Sequence, residues 1–154
     1  MSIRSTIILA ALLGLAVGCS GQNSQNKGGT ASGWPTSFAE ANKQAKASGK
    51  IILANFTGSD WCGWCMKLKA EVFDTPEFKE WAAKNVILLE LDFPTSKSQD
   101  AATKEQNREL QEKYAVEGFP SILFLKSNGH AIGKMGYMAG GPKAWIENAE
   151  KTIR

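Results

Sequence analysis

Histidine is almost missing from this sequence, with one in 154 residues, and cysteine is scarce, with three. A structural zinc site takes four Cys or His ligands, and Cys62, Cys65 and His130 fall short of that number, so zinc would need a carboxylate and a second chain. Runs of one charge are also lacking. No basic run reaches five residues, the formal net charge is only +3, and the lysines alternate with acids as they do on solvated helix faces, so no nucleic-acid partner is expected. No stretch reaches the roughly twenty apolar residues of a spanning helix; the apolar run from Ile7 to Val17 stops sooner. Internal repeats are absent, which removes repeat arrays and leaves room for one compact domain.

What the N-terminus does contain is an early positive charge at Arg4 followed by that apolar run, the pattern of an export signal. Residues 1–18 are read as a signal peptide. Cys19 follows Leu15-Ala16-Val17-Gly18 and resembles the lipobox cysteine of bacterial lipoproteins, which becomes lipidated and N-terminal after cleavage. The departure is Ala16, where that pattern carries a larger aliphatic residue; cleavage near Gly18 to Gly21 without lipidation is the alternative. Residues 19–33 are rich in Ser, Gly, Gln and Asn and cannot bury a core, so they are read as a flexible linker. Residues 34–154 remain as the domain. Export places its thiols where disulfides persist.

Within the domain, Phe38, Ala41 and Ala45 share a helical face that Gly49 stops. IILANF (51–56) and VILLEL (86–91) read as buried strands. Between them a helix starts at or just before Cys62, breaks at Asp74-Thr75-Pro76, and resumes with Thr75 as cap and Pro76 at its first position. A mostly solvated helix is expected from Thr103 to Ala115 with Leu110 and Tyr114 inward. SILFL (121–125) and HAIGKMGY (130–137) flank Asn128-Gly129, the strongest short hairpin signal. A last helix carries Trp145, Ile146, Ala149 and Ile153. Strands alternating with helices and ending in a hairpin predict a three-layer α/β domain whose mixed central sheet has about four strands.

The two remaining cysteines, in WCGWC, admit a metal knuckle, an inert bridge or a working redox pair. An inert bridge across so small a loop constrains little of the unfolded chain. A redox pair explains more of the pattern. At the first turn of a helix, Cys62 lies beside orphan backbone N–H groups and the positive end of the helix dipole, which lower its pKa. Cys65, one turn on, is placed to attack a mixed disulfide formed at Cys62. Gly63 would permit a tight approach at the turn, and Trp61 and Trp64 offer flat apolar surface for an extended substrate.

WCGWC after a buried strand and opening a helix resembles the active site of the thioredoxin family, and GFPSILFL (118–125) resembles the segment in which that family sets a cis-proline facing the thiols. FTGSDWCGWC with KLKAEVFDTPEF downstream is similar to thioredoxin-like proteins of bacterial envelopes. The resemblance spans Phe38 to Ile153 and implies a thioredoxin fold and a cis bond at Phe119-Pro120. It further implies that Cys62 and Cys65 are catalytic, with substrate held by Trp61, Gly63, Trp64, Phe119 and Pro120. Trp64 stands where classical thioredoxins have proline, so their potential does not transfer. Asn55 stands where they keep a buried aspartate used in proton transfer, which leaves Asp60, Glu90 or water for that task.

The expected function is a thiol-disulfide oxidoreductase of the bacterial cell envelope, working as a protein disulfide reductase. No cofactor beyond the Cys62–Cys65 redox disulfide is expected. The expected partners are disulfide-containing proteins, a membrane or soluble thiol electron donor, and the membrane itself through a lipid on Cys19; a monomer is expected. A disulfide oxidase, an isomerase, or a non-catalytic binding or chaperone module are the alternatives.

Overall fold

The computed structural model describes residues 33–154. The expected signal peptide, Cys19 and nearly all of the linker lie outside the described residues.

Ser37 opens the first helix, α1 (Phe38–Ser48), its hydroxyl accepting the Glu40 N–H, and Gly49 ends it in a left-handed conformation at φ 73°. The chain then enters β1 (Ile51–Thr57), α2 (Gly63–Leu68), a π-helical turn (Lys69–Phe73), α3 (Pro76–Asn85) and β2 (Val86–Asp92). It finishes with α4 (Ala101–Lys113), β3 (Ser121–Leu125), β4 (Ala131–Met135) and α5 (Gly141–Thr152). The sheet order is β2-β1-β3-β4, with β1 parallel to β2 and antiparallel to β3, and β4 antiparallel to β3. This is the expected four-stranded mixed sheet.

Both faces of the sheet are covered, which is why its inner strands read as unbroken apolar runs. Ile52, Ala54, Phe56, Leu89, Leu91, Leu123 and Leu125 pack with α1 and α4 through Ala41, Ala45 and Leu110. Residues of opposite parity, Leu53, Val86, Ile122 and Phe124, meet Leu68, the π turn, α3 and α5. On that second face the apolar rows stop short. Asn55 pairs in register with Glu90, and Thr57 with Asp92, so the ends of β1 and β2 nearest Cys65 carry polar side chains at alternate positions.

Three elements carry detail that the sequence reading lacked, and in the last of them the bounds differ. The helix after Cys65 breaks at Asp74-Thr75-Pro76 as expected, with a further detail: the Asp74 N–H reaches back five residues to the Lys69 carbonyl and widens the last turn into a π turn. The hairpin expected around Asn128-Gly129 is present, β3 pairing antiparallel with β4, but its turn is longer than a two-residue type I′ turn, which would need positive φ at both positions. Gly129 alone takes it, at φ 81°, after a turn closed by the Gly129 N–H on the Lys126 carbonyl, while Leu125 pairs with Ala131. The fourth helix begins at Ala101 under an Asp100 cap rather than at Thr103. It stops at Lys113 because Ala115 turns left-handed at φ 49° and the Val116 N–H closes on the Gln111 carbonyl. Leu110 is buried and Tyr114 half-buried as expected, and Asn107 is buried beside them, its amide donating to the Asp92 carbonyl at 2.8 Å.

Candidate functional site

The strand β1 delivers the chain to the site, and the turn Gly58-Ser59-Asp60 is then clamped to the last residue of β2 and to the loop that follows it. Ser59 donates its N–H (2.8 Å) and its hydroxyl (2.6 Å) to the Asp92 carboxylate. Asp60 accepts the N–H groups of Thr95 (3.0 Å), Ser96 (2.6 Å) and Lys97 (3.2 Å). The Thr95 hydrogen bond first, then that from Ser96, holds the Asp60 carboxyl below the ordinary carboxylate range.

A carboxyl whose pKa is lowered by folding stabilises the fold above its unfolded value and loses that contribution as pH falls through the lowered one. The amide resonances of Thr95, Ser96 and Lys97 are therefore expected to shift together in an acid titration, below the ordinary carboxylate pKa of about 3.9. They should be displaced at every pH in Asp60→Asn. Amides that ignore both the acid and the substitution would contradict the clamp.

Above this clamp Cys62 caps α2. Its sulfur accepts the Cys65 N–H at 3.2 Å, one of the donors a helix start leaves without a backbone partner. Cys62 and Cys65 are joined as a disulfide. Both are recessed, at 6 % and 5 % exposure, beneath the flanking Trp61 (48 %) and Trp64 (57 %).

Each tryptophan has its own support. The Trp61 indole N–H donates to the Phe93 carbonyl at 2.8 Å, and its ring meets Phe119 edge-on at 5.8 Å. Its indole also overlies Gly58, where an added Cβ would come within 2.4 Å of the ring, so glycine is required there by close approach. Trp64 stands against Tyr137 at 5.0 Å, with the Lys67 ammonium over both rings at 5.3 and 5.1 Å. The Tyr137 hydroxyl donates to Glu71 at 2.8 Å. Tyr137, followed by Glu71, raises the Lys67 pKa.

The peptide Phe119-Pro120 is cis, as the resemblance implied. Trp61, Trp64, Phe119 and the cysteines thus fall in one region, tied together by ring contacts and the helix start. Gly63 departs from its expected reason: a Cβ there would meet nothing within 4 Å and its φ is not left-handed, so no tight internal approach selects it. Lys67 and Tyr137 escaped the sequence reading, which placed Lys67 on a solvated face. They lie seventy positions apart along the chain, and only the final hairpin's approach to α2 brings them together.

Directly under Cys65 lies a cavity of about 50 Å³ lined by Asn55, Thr57, Ser59, Met66, Lys69, Phe73 and Glu90. Asn55 therefore does face the buried cysteine from the position the resemblance gives to an aspartate. Asp60 faces the other way, into the loop at 95–97. Glu90 is buried at 4 % exposure.

A recessed Cys-x-x-Cys disulfide at a helix start, beside a cis-proline loop on a mixed four-stranded sheet, defines the class of thiol-disulfide redox domains. The chain belongs to the thioredoxin-like family: the thioredoxin-like domain description matches residues 38–149. The disulfide bond reductase DsbH of Chlamydia pneumoniae is 35% identical over 118 residues, which cover 77% of this chain and 71% of that protein. The thioredoxin-related protein DsbJ of the same organism is 28% identical over 103 residues, 67% of this chain but only 30% of DsbJ. A solved DsbH oxidoreductase superposes with a TM-score of 0.75 at 34% identity, covering 78% of this chain and 83% of that one. The oxidised C-terminal domain of DsbD from Neisseria meningitidis shares the fold, with a TM-score of 0.57 at 18% identity over 77% of this chain and 98% of that one. The chain is a thioredoxin-like thiol-disulfide oxidoreductase. Among the described residues no helix is long and apolar enough to cross a membrane.

Proposed function

We propose that this oxidoreductase works as a protein disulfide reductase in the bacterial cell envelope, held to a membrane by a lipid on Cys19 and spaced from it by residues 19–33. The observation that carries the reading is the asymmetry of the pair. Cys62 caps the helix with its sulfur on the Cys65 N–H, while Cys65 sits behind it on the cavity. A hydrogen bond donated to sulfur favours the thiolate, so Cys62 is the nucleophile and Cys65 the resolving thiol. The name of the Chlamydia relative, a disulfide bond reductase, supports the direction. The cysteine pair is its own redox centre and requires no further cofactor.

In the forward reaction the Cys62 thiolate attacks one sulfur of a substrate disulfide and displaces the other as a thiolate. Cys65 then attacks Cys62, the Cys62–Cys65 bond forms, and the second substrate thiol departs. Two electrons pass from the pair to the substrate, and a thiol donor restores them. The recess sets the substrate's shape. A cysteine at 6 % exposure between two half-exposed indoles admits an extended segment more readily than a folded surface, with Phe119 against Trp61 and the cis Phe119-Pro120 peptide offered as substrate contacts and Gly63 leaving the rim free of a side chain.

The test is the equilibrium potential of the pair against a glutathione redox buffer. A potential toward the reducing end, near the about −270 mV of thioredoxin, supports the reductase direction, and one near −120 mV would identify an oxidant and overturn it.

A further inference from the structure

The cavity beneath Cys65 holds a buried glutamate on the neighbouring strand, in register with Asn55 and facing the same layer as the buried cysteine. A buried carboxyl is costly to keep, and an apolar strand such as β2 would bury a leucine there at no such cost. Of the titratable groups lining the cavity, Cys65 comes from α2, Lys69 from the π turn and Glu90 from β2. Lys69 is a cation bound to Asp74 at 2.7 and 2.6 Å and cannot accept a proton. Asn55 and Thr57 of β1 and Ser59 of the turn are neutral. Asp92, two places further along β2, is taken up by Ser59.

We propose that Glu90 is the proton acceptor for the Cys65 thiol across this cavity. The inference rests on the reductase reading above. In the mixed disulfide between Cys62 and substrate, Cys65 is still a thiol and a poor nucleophile. The Glu90 carboxylate takes the Cys65 proton, directly or through one water, for which about 50 Å³ is sufficient room. The Cys65 thiolate then attacks the Cys62 sulfur. The Cys62–Cys65 bond forms as the bond from Cys62 to substrate breaks, and the substrate leaves as a thiolate. The proton on Glu90 passes to that thiolate or to solvent, so charge and electrons balance. Run backwards, the same carboxyl returns the proton to Cys65.

The experiment uses the reduced full chain mixed with oxidised glutathione, quenched with acid at intervals, with the glutathione adduct at Cys62 counted by peptide mass. In E90Q the adduct is expected to live on the order of a hundredfold longer near neutral pH, the size of a lost general base. Adduct formation should keep its wild-type rate. The defect should close as pH rises past about 8.5, where a free thiol ionises unaided. Moving the carboxyl to the registered position, in N55D/E90Q, should restore most of the rate. A merely structural role predicts a loss that is equal at all pH and is not rescued. The wild type alone can sink the proposal: a resolution rate climbing tenfold per pH unit up to the free-thiol range would mean that no carboxylate assists. No adduct at Cys62 in either protein would instead sink the reductase reading. An adduct that E90Q resolves at the wild-type rate across the whole pH range sinks only the role of Glu90.

Discussion

Cys65→Ser is expected to hold substrate proteins covalently on Cys62, whereas Cys62→Ser is expected to trap nothing and to lose on the order of a thousandfold or more in disulfide-reducing turnover. The two replacements look alike in composition and differ in where the sulfur stands. Cys62 supplies the cap of α2, and serine is among the best caps, so its hydroxyl can take over the Cys65 N–H without unravelling the helix. What disappears is the thiolate. An alcohol in that place cannot attack a disulfide. Cys65→Ser leaves the first attack in place and removes the second. The resulting mixed disulfide cannot be cleaved from within, because a serine hydroxyl is no leaving or attacking group for sulfur at neutral pH. Non-reducing electrophoresis of cell extracts resolves the outcomes. Adducts in Cys65→Ser that vanish on reduction and never appear in Cys62→Ser are expected; equal adducts in both variants would reverse the assigned roles.

Much of this arrangement was legible because each part is written in local chemistry. Ser37, Thr75 and Gly49 mark helix ends through caps that act within three or four residues. Buried strands announce themselves by unbroken apolar runs, and WCGWC by two thiols one helical turn apart. The unread parts depend on distant or missing signals. Ala115 takes the left-handed position that glycine usually marks, so the end of α4 at Lys113, two residues before the expected one, carries no glycine signal. The π turn arises from a five-residue closure at Asp74 within a pattern that remains apolar at helical spacing. Glu90 sits in VILLEL, where a single acid is easily read as a strand tolerating one polar residue. Its meaning emerges only when register sets it opposite Asn55 and the helix layer sets both beneath Cys65. Likewise the clamp of Asp60 on residues 95–97 joins two loops that no spacing rule connects.

The support behind Cys65 is itself a single aromatic cluster, and removing its centre is expected to cost more stability than any other side-chain truncation in the domain. Trp145 of α5 is fully buried. Its ring meets Phe73 edge-on at 5.5 Å, Phe78 at 5.7 Å and Trp81 at 6.4 Å, and touches Phe124 of β3 at 6.4 Å. Its indole N–H donates to the Gly136 carbonyl at 3.2 Å. Trp145→Ala removes the largest fully buried side chain and is expected to destabilise the fold by about 3–5 kcal/mol. The lost hydrogen bond adds about 1 kcal/mol. Against a total stability of about 5–15 kcal/mol, that takes about a quarter of the margin or more. Trp145→Phe, which keeps most of the ring contact, should lose far less. Urea midpoints for the three proteins, measured with the disulfide intact, check the order. Because Phe73 lines the cavity under Cys65 as well as packing on Trp145, the alanine variant should also expose the Cys62–Cys65 bond to faster reduction by dithiothreitol at urea concentrations well below its midpoint. A variant that lost stability while its disulfide stayed as resistant as wild type would show that the aromatic cluster and the redox pair are mechanically separate.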